Sequence, residues 1–212
     1  MIGPMSASSR STLVAAVVGL LLLGGLVVFA TSLPDGDAAS SEQDAAAGPI
    51  DLPDELPGGL LALDGDDLPE ELTAQLTDLD QLQGQEDSAG ARLTEVFGVP
   101  SAFRIYAAVD QSSVAQVTAV DKAPGVFLPD FPPIDPELIE LTRPAVELVD
   151  AGDALCVVTW GQAVPAGQEV DETAPPQSLR CQQGAGERTY EIFGQGMTVD
   201  AAVEALDALV SA

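Results

Sequence analysis

The sequence has no histidine, only one lysine and few aromatic residues, and each shortage excludes a class of function. Without histidine the chain cannot build a Ser-His-Asp or Cys-His catalytic centre, and it lacks the commonest metal ligand. Aromatic residues make up 4% of the chain, which is too few for an aromatic-lined sugar cleft. It contains no P-loop, no dinucleotide-binding fingerprint and no nucleophile-elbow motif. The sequence therefore predicts no catalytic residues, no cofactor and no metal site.

Basic residues are also scarce. Lys and Arg together number 7 against 34 Asp and Glu, which gives a net charge of −27. A protein of this charge repels the phosphates of nucleic acids, and it repels anionic lipid head groups in the same way. We therefore expect no nucleic-acid partner and no electrostatic docking on a membrane surface.

One long apolar run, Thr12–Ala30, contains no charged residue. As a helix rising about 1.5 Å per residue, it would span close to 30 Å, the thickness of a bilayer hydrocarbon core. Arg10 precedes the run, whereas acidic residues follow it and the next basic residue is Arg92. The positive-inside rule then predicts a cytoplasmic leader at residues 1–11, a single-pass signal-anchor helix in the lipid bilayer of the cell membrane, and an extracytoplasmic remainder.

The same run also fits a secretory signal peptide that is cleaved after Ala30. The hydrophobic region of such a peptide usually has about 7–15 residues. This run is longer, so the anchor is favoured, and a secreted protein released by cleavage is the alternative. In either case the rest of the chain lies in an oxidising compartment.

Residues 31–66 form an acidic segment that contains Gly and Pro but no Lys or Arg. Such a segment repels itself and buries little apolar surface, so we expect a disordered tether. Beyond it, residues 67–83 are predicted to form one amphipathic helix, because leucines recur there with helical spacing. This helix either packs against the downstream domain or is recognised by a partner groove. The leucines of the stripe are Leu72, Leu76, Leu79 and Leu82.

Residues 92–212 have the pattern of a small antiparallel α+β domain. Apolar and β-branched residues alternate along six runs that turn signals join in pairs, which predicts three hairpins. A closing amphipathic helix is expected after the N-cap residue Thr198. Strands grouped before a helix favour an antiparallel sheet over repeated βαβ units. The six runs are Ala102–Asp110 with Val114–Asp121, Ala145–Val149 with Ala154–Trp160, and Gln177–Gln183 with Glu187–Gly194.

The two cysteines, Cys156 and Cys181, lie on predicted strands of this domain. Their spacing excludes a C-x-x-C redox motif, and a zinc site is not expected without histidine or further thiols. In an oxidising compartment they are predicted to form one structural disulfide. The polar, Pro-rich segment between them is long, which suits either a binding loop or a variable surface loop.

These observations favour a membrane-anchored, non-catalytic binding module of the cell envelope, whose partner is another envelope protein. The alternative is an extracytoplasmic hydrolase that uses two carboxylates. A shallow exposed apolar patch would favour the binding module. A convergent pair of carboxylates in a deep cleft would favour the hydrolase.

Overall fold

The computed structural model describes residues 49–65, 68–74, 76, 78–130, 132–171 and 174–212. The predicted leader, the predicted anchor Thr12–Ala30 with its cleavage site, and most of the predicted tether lie outside the described residues. Within the described part of the chain, no helix is both long enough and apolar enough to cross a membrane.

The fold is a mixed α+β arrangement around one large antiparallel sheet. Its strands are β1 Glu55–Leu56, β2 Leu60–Ala62, β3 Ser101–Ala108, β4 Val114–Val120, β5 Leu141–Arg143, β6 Val146–Ala151, β7 Ala154–Thr159, β8 Val164–Pro165, β9 Ser178–Ala185 and β10 Arg188–Gln195. Its helices are α1 Glu70–Thr73, α2 Leu79–Phe97 and α3 Val199–Ser211, with a short 3-10 helix at Pro136–Ile139. The large sheet has the order β1-β2-β3-β4-β10-β9-β7-β6, and β5 pairs separately with β8. The predicted α+β class, with its antiparallel hairpins and C-terminal helix, is confirmed.

Helix α3 covers one face of the sheet and closes the main core. It begins where the Thr198 side chain accepts a hydrogen bond from the amide of Ala201, which satisfies one of the free N–H groups at the helix start. Leu206 and Leu209 on its apolar face are buried, and the helix packs on β7, β9 and β10. Alternate residues of each strand point into this core, as the period of a strand requires. Large members of the core are Tyr106, Val117, Cys156, Val158, Leu179, Cys181 and Ile192.

Helix α2 lies on the opposite face, where it packs against β3. Along β3, Tyr106 faces the main core, whereas the preceding Ile105 faces a second, smaller cluster with Leu82 of α2. The helix begins at Asp78, whose side chain accepts a hydrogen bond from an amide of the first turn at 3.1 Å. It ends at Gly98, whose φ of 69° suits the left-handed conformation that glycine adopts freely.

The structure corrects the prediction of a disordered tether up to residue 66, because Ile50, Leu52 and strands β1 and β2 belong to the fold. Leu56 and Leu60 are buried in β1 and β2, and this hairpin extends the sheet beside β3. The hairpin turns at Gly58 and Gly59, whose φ angles are 84° and 73°, a conformation without steric cost for glycine. Burial of the leucines offsets the charge repulsion on which the prediction rested.

The single helix expected over residues 67–83 is also corrected. Helices α1 and α2 are separate, because Asp78 caps a new helix start between them. Leu72 and Leu82 still reach the same small cluster, so this apolar stripe does pack on its own domain. The domain does not begin at Arg92, since α2 runs through that position.

Candidate functional site

Cys156 on β7 and Cys181 on β9 form the predicted disulfide. The two residues face each other across antiparallel strands, and their Cα atoms are 4.0 Å apart. Both side chains are fully buried in the main core. The bond therefore staples the hairpin β9–β10 to the strand β7, as the sequence predicts.

The segment between the cysteines is fixed to the body of the protein near its start. Trp160 lies under the guanidinium group of Arg143, whose central carbon is 4.0 Å from the ring centroid. The indole Nε1 of Trp160 donates a hydrogen bond to Glu147 at 2.7 Å. Further along, β8 pairs with β5. These contacts hold the first part of the segment against the body of the protein.

A groove of about 420 Å³ lies on the sheet face that α2 covers only in part. Its walls come from the C-terminal end of α2 and from the chain that follows β4, and its floor comes from β4, β9 and β10. We call it the lateral groove. Its volume falls in the range of ligand pockets. It is lined by Leu93, Phe97, Thr118, Val120, Lys122, Ala123, Gly125, Gln182, Thr189 and Glu191.

Three polar side chains form a row across the floor of the lateral groove. Thr118 on β4 and Gln182 on β9 are the direct cross-strand partners of Glu191 on β10, so all three project from the same face. The Glu191 carboxylate accepts no hydrogen bond from any residue that the structure describes. Burial raises the pKa of the Glu191 carboxyl, and the nearby charge of Arg180 opposes that rise. The row thus offers unused hydrogen-bond acceptors to a ligand.

Exposed apolar side chains extend this apolar surface beyond the groove itself. Val96 and Phe97, at the end of α2, are 62% and 44% exposed. Val126 and Leu128, just after Gly125 of the opposite wall, are 86% and 67% exposed. Contiguous exposed apolar surface marks interaction sites, whereas single apolar residues scattered over a surface do not. Exposed apolar side chains are therefore present on or beside both walls of the lateral groove.

The wall that follows β4 is held firmly against the sheet. Phe127 is buried under the guanidinium group of Arg180, whose central carbon is 4.7 Å from the ring centroid. The same guanidinium donates a hydrogen bond to the carbonyl of Leu128 at 3.1 Å. The Thr189 hydroxyl donates to the carbonyl of Lys122 at 2.7 Å. The groove is therefore preformed, which lowers the ordering cost of binding.

A second, polar cleft surrounds Arg104 on β3. The Arg104 side chain is 13% exposed, and its Nε and Nη2 atoms pair with Asp64 at 2.5 Å and with Asp54 at 2.7 Å. Its Nη1 donates to the carbonyl of Leu52 at 2.5 Å. Burial alone would lower the pKa of Arg104, but the hydrogen bonds with the two aspartates outweigh it and raise that pKa. These contacts tie both ends of the β1–β2 hairpin to the sheet.

Glu86 on α2 borders the same cleft and is 4% exposed. Its Oε1 accepts a hydrogen bond from the amide of Ile105 on β3 at 2.6 Å. This bond satisfies a backbone N–H that lies beyond the point where β3 pairs with β2. Its Oε2 has no partner among the described residues. Burial raises the pKa of Glu86, and the nearby charges of Asp64 and Asp87 raise it further. The hydrogen bond from Ile105 and the charge of Arg104 lower the pKa but do not cancel the rise. No group of three metal-ligating side chains occurs in the described part of the chain.

Glutamine at position 86 is expected to flatten the dependence of stability on pH. Because the folded state raises the pKa of Glu86, the folded protein binds its proton more tightly than the unfolded chain. Stability is therefore lost as pH rises from the unfolded value of 4.5 towards the folded one. Urea unfolding from pH 4.5 to 7 should show this slope in wild type and a smaller slope in Glu86→Gln. Glu95→Gln, on an exposed part of α2, should keep the wild-type slope, and equal slopes in all three proteins would contradict the prediction.

Comparison with known proteins gives no match to a family model, a curated protein or a solved structure. The predicted site residues Cys156 and Cys181 line neither cleft. The groove residues Thr118, Gln182 and Glu191 were not predicted. Each is a polar residue on a strand face that points away from the main core, and that signal identifies a site only once the strand order is known.

Proposed function

We propose that the chain is a non-catalytic binding module of the cell envelope and that the lateral groove is its binding site. The observation that supports this most is the combination of apolar walls with a row of unused acceptors in the floor. The proposed ligand is an extended segment of another envelope protein. Its apolar side chains would contact Leu93 and Phe97, and its N–H or basic groups would donate to Glu191.

Charge favours a partner segment that carries Lys or Arg beside its apolar residues. The net charge of −27 attracts basic partners at long range and repels acidic ones. Within the groove, the Glu191 carboxylate lies in the floor, whereas Lys122 is exposed at the rim. Arg180 already donates to the wall. An acidic partner segment would gain little in this site.

We further propose that Thr12–Ala30 anchors the module in the cell membrane, with the N-terminus in the cytoplasm and the folded domain outside. The charge pattern around the run supports this orientation, and the disulfide suits an oxidising compartment. On fractionation, the full chain should stay with the membranes and keep Arg10. Recovery of the protein in the medium with Thr31 as its first residue would support the secreted alternative instead.

Tryptophan in place of Gly125 is expected to block the lateral groove. Gly125 lines the groove, and a Cβ there would meet no atom within 4 Å, so a side chain can be attached there without a clash at its first atom. The measurement is quantitative affinity capture of the full chain from its native membranes. Recovery of the groove-bound protein should fall about tenfold or more, the effect of losing a central contact of an interface.

Gly84→Trp is the matched control for this experiment. Gly84 lies on α2, and a Cβ there would also meet no atom within 4 Å, but the residue does not line the groove. This variant should capture the same proteins as wild type. The groove proposal fails if no captured protein distinguishes Gly125→Trp from Gly84→Trp.

The alternative function, a hydrolase that uses two carboxylates, comes second because Asp64 and Glu86, the two least exposed carboxylates of the Arg104 cleft, already have structural partners. Asp64 is paired with Arg104, and Glu86 binds a backbone amide with one oxygen while the other is closed to solvent. The raised pKa of Glu86 is the feature that suits a general acid. Glycoside or ester hydrolysis that Glu86→Gln abolishes would establish this alternative.

A further inference from the structure

Five large apolar side chains are exposed along one short stretch, residues 126–139, which we call the proline-rich loop. Folded proteins expose single apolar residues freely, but a concentration of them in one segment marks an interaction site. The side chains and their exposed fractions are Val126 86%, Leu128 67%, Ile134 50%, Leu138 79% and Ile139 46%.

Prolines set the backbone of this loop. They stand at positions 129, 132, 133 and 136, and residues 123–129 and 132–135 form neither helix nor strand. Proline fixes its own φ near −65° and biases the preceding residue towards an extended conformation. Asp135, which precedes Pro136, has φ −56° and ψ 119°, close to polyproline II. Pro133-Ile134-Asp135-Pro136 also has the P-x-x-P spacing of polyproline ligands.

Both ends of the loop are fastened to the fold, so its exposed part is displayed in a defined place. At the first end, Phe127 is buried against Arg180. At the other end, the carbonyl of Glu140 accepts a hydrogen bond from the amide of Ala166 at 2.9 Å, and β5 begins at the next residue. A segment held in this way loses little conformational entropy when it is bound.

Acidic residues alternate with the apolar ones along the loop. Asp130, Asp135, Glu137 and Glu140 are all exposed. A partner groove that accepts the apolar and proline side chains would therefore gain from basic residues at its rim. Aromatic side chains are the usual lining of grooves that bind a polyproline II segment.

We propose that the proline-rich loop is itself a ligand, bound by an aromatic-lined groove with a basic rim on a partner protein. Here the chain supplies the bound segment, whereas in the lateral groove it would supply the receptor. The proposal does not rest on the lateral groove, since Ile134, Leu138 and Ile139 lie outside it.

The test is site-specific photocrosslinking of the full chain in its native membranes. A photoreactive phenylalanine analogue replaces Leu138 in one protein and Val109, an exposed apolar residue outside the loop, in the control. We expect one dominant adduct from position 138 that is absent from position 109. Its yield should fall when a synthetic peptide of residues 125–140 is added, but not when the same peptide carries alanine in place of its four prolines.

Substitutions within the loop then separate binding from folding. Ile134→Ser should lower the adduct yield about tenfold, the effect of removing one buried apolar side chain from an interface, while the thermal midpoint stays at the wild-type value because Ile134 is half exposed. Gly125→Trp should leave the adduct unchanged, which distinguishes this site from the lateral groove. The proposal is overturned by the absence of an adduct at position 138, by an adduct that resists the peptide, or by one that Ile134→Ser does not reduce.

Discussion

Methionine in place of Arg104 is expected to lower the free energy of unfolding by about 2–3 kcal/mol. Arg104 is mostly buried and holds Asp64, Asp54 and the carbonyl of Leu52. Removing one partner of a buried ion pair leaves the other uncompensated, which costs about 3–5 kcal/mol in full burial. The estimate is reduced because Asp64 is 31% exposed and Asp54, at 86%, contributes little.

The loss should be concentrated at the β1–β2 hairpin, because Arg104 ties both of its ends to the sheet. In Arg104→Met, amide hydrogen exchange at Leu60 and Ala62 should accelerate more than exchange in β7 or β9. Arg92→Met is the matched control: Arg92 is 68% exposed and its partner among the described residues is Glu95, which is 70% exposed. The effect of this variant should stay within about 0.5 kcal/mol. Urea unfolding of residues 47–212, one compact unit, provides both energies. Equal midpoints for the two variants would contradict a structural role for Arg104.

The three hairpins could be predicted because the signals that form them are local. In the turn between β6 and β7, Gly152 has a φ of 79°, and its amide donates to the Asp150 side chain at 3.3 Å. Alternation along β7 places Cys156 and Val158 in the core. The same alternation on β9 brings Cys181 to the face that carries Cys156. The disulfide pairing thus follows from the alternation along two strands.

The β1–β2 hairpin could not be predicted in the same way, because what orders it lies far along the chain. Leu56 and the short run Leu60–Leu63 lie in an acidic segment, separated by Pro57, Gly58 and Gly59. They become core residues only beside β3, where Arg104 binds Asp54 from 50 residues away. A count of charges along the sequence treats the acidic residues as mutually repelling. It carries no information that a single distant arginine pairs with two of them.

The lateral groove depends on strand order, which the sequence leaves open. Glu191 lies between Thr118 and Gln182 only because β10 pairs with β4 on one side and with β9 on the other. The pairing β9–β10 is a local hairpin, but the pairing β4–β10 crosses a long connection. That connection also supplies one groove wall, through Lys122, Ala123 and Gly125. A site made by non-local pairing therefore appears only in the folded structure.

Removal of the Cys156–Cys181 bond is expected to have the largest effect on stability of any change considered. The bond closes a loop of sequence separation 25, and the chain-entropy model assigns about 3.5 kcal/mol to a loop of this length. For a domain of this size, each kcal/mol lowers the thermal midpoint by about 2–4 °C. The double variant Cys156→Ala, Cys181→Ala should therefore melt roughly 7–14 °C below wild type.

Serine at the same two positions should destabilise the fold more than alanine does. This comparison tests the effect of burying a polar group as well as the effect of losing the bond. Cys156 and Cys181 are both 0% exposed, so two hydroxyl groups would enter an apolar core. An unpaired buried hydroxyl costs about 1–3 kcal/mol, and the serine variant should lose at least that much more than the alanine variant. Wild type unfolded in the presence of a reductant should match the alanine variant most closely. If the two double variants unfold at the same urea concentration as oxidised wild type, or if non-reduced wild type contains two free thiols, the bond does not stabilise this fold.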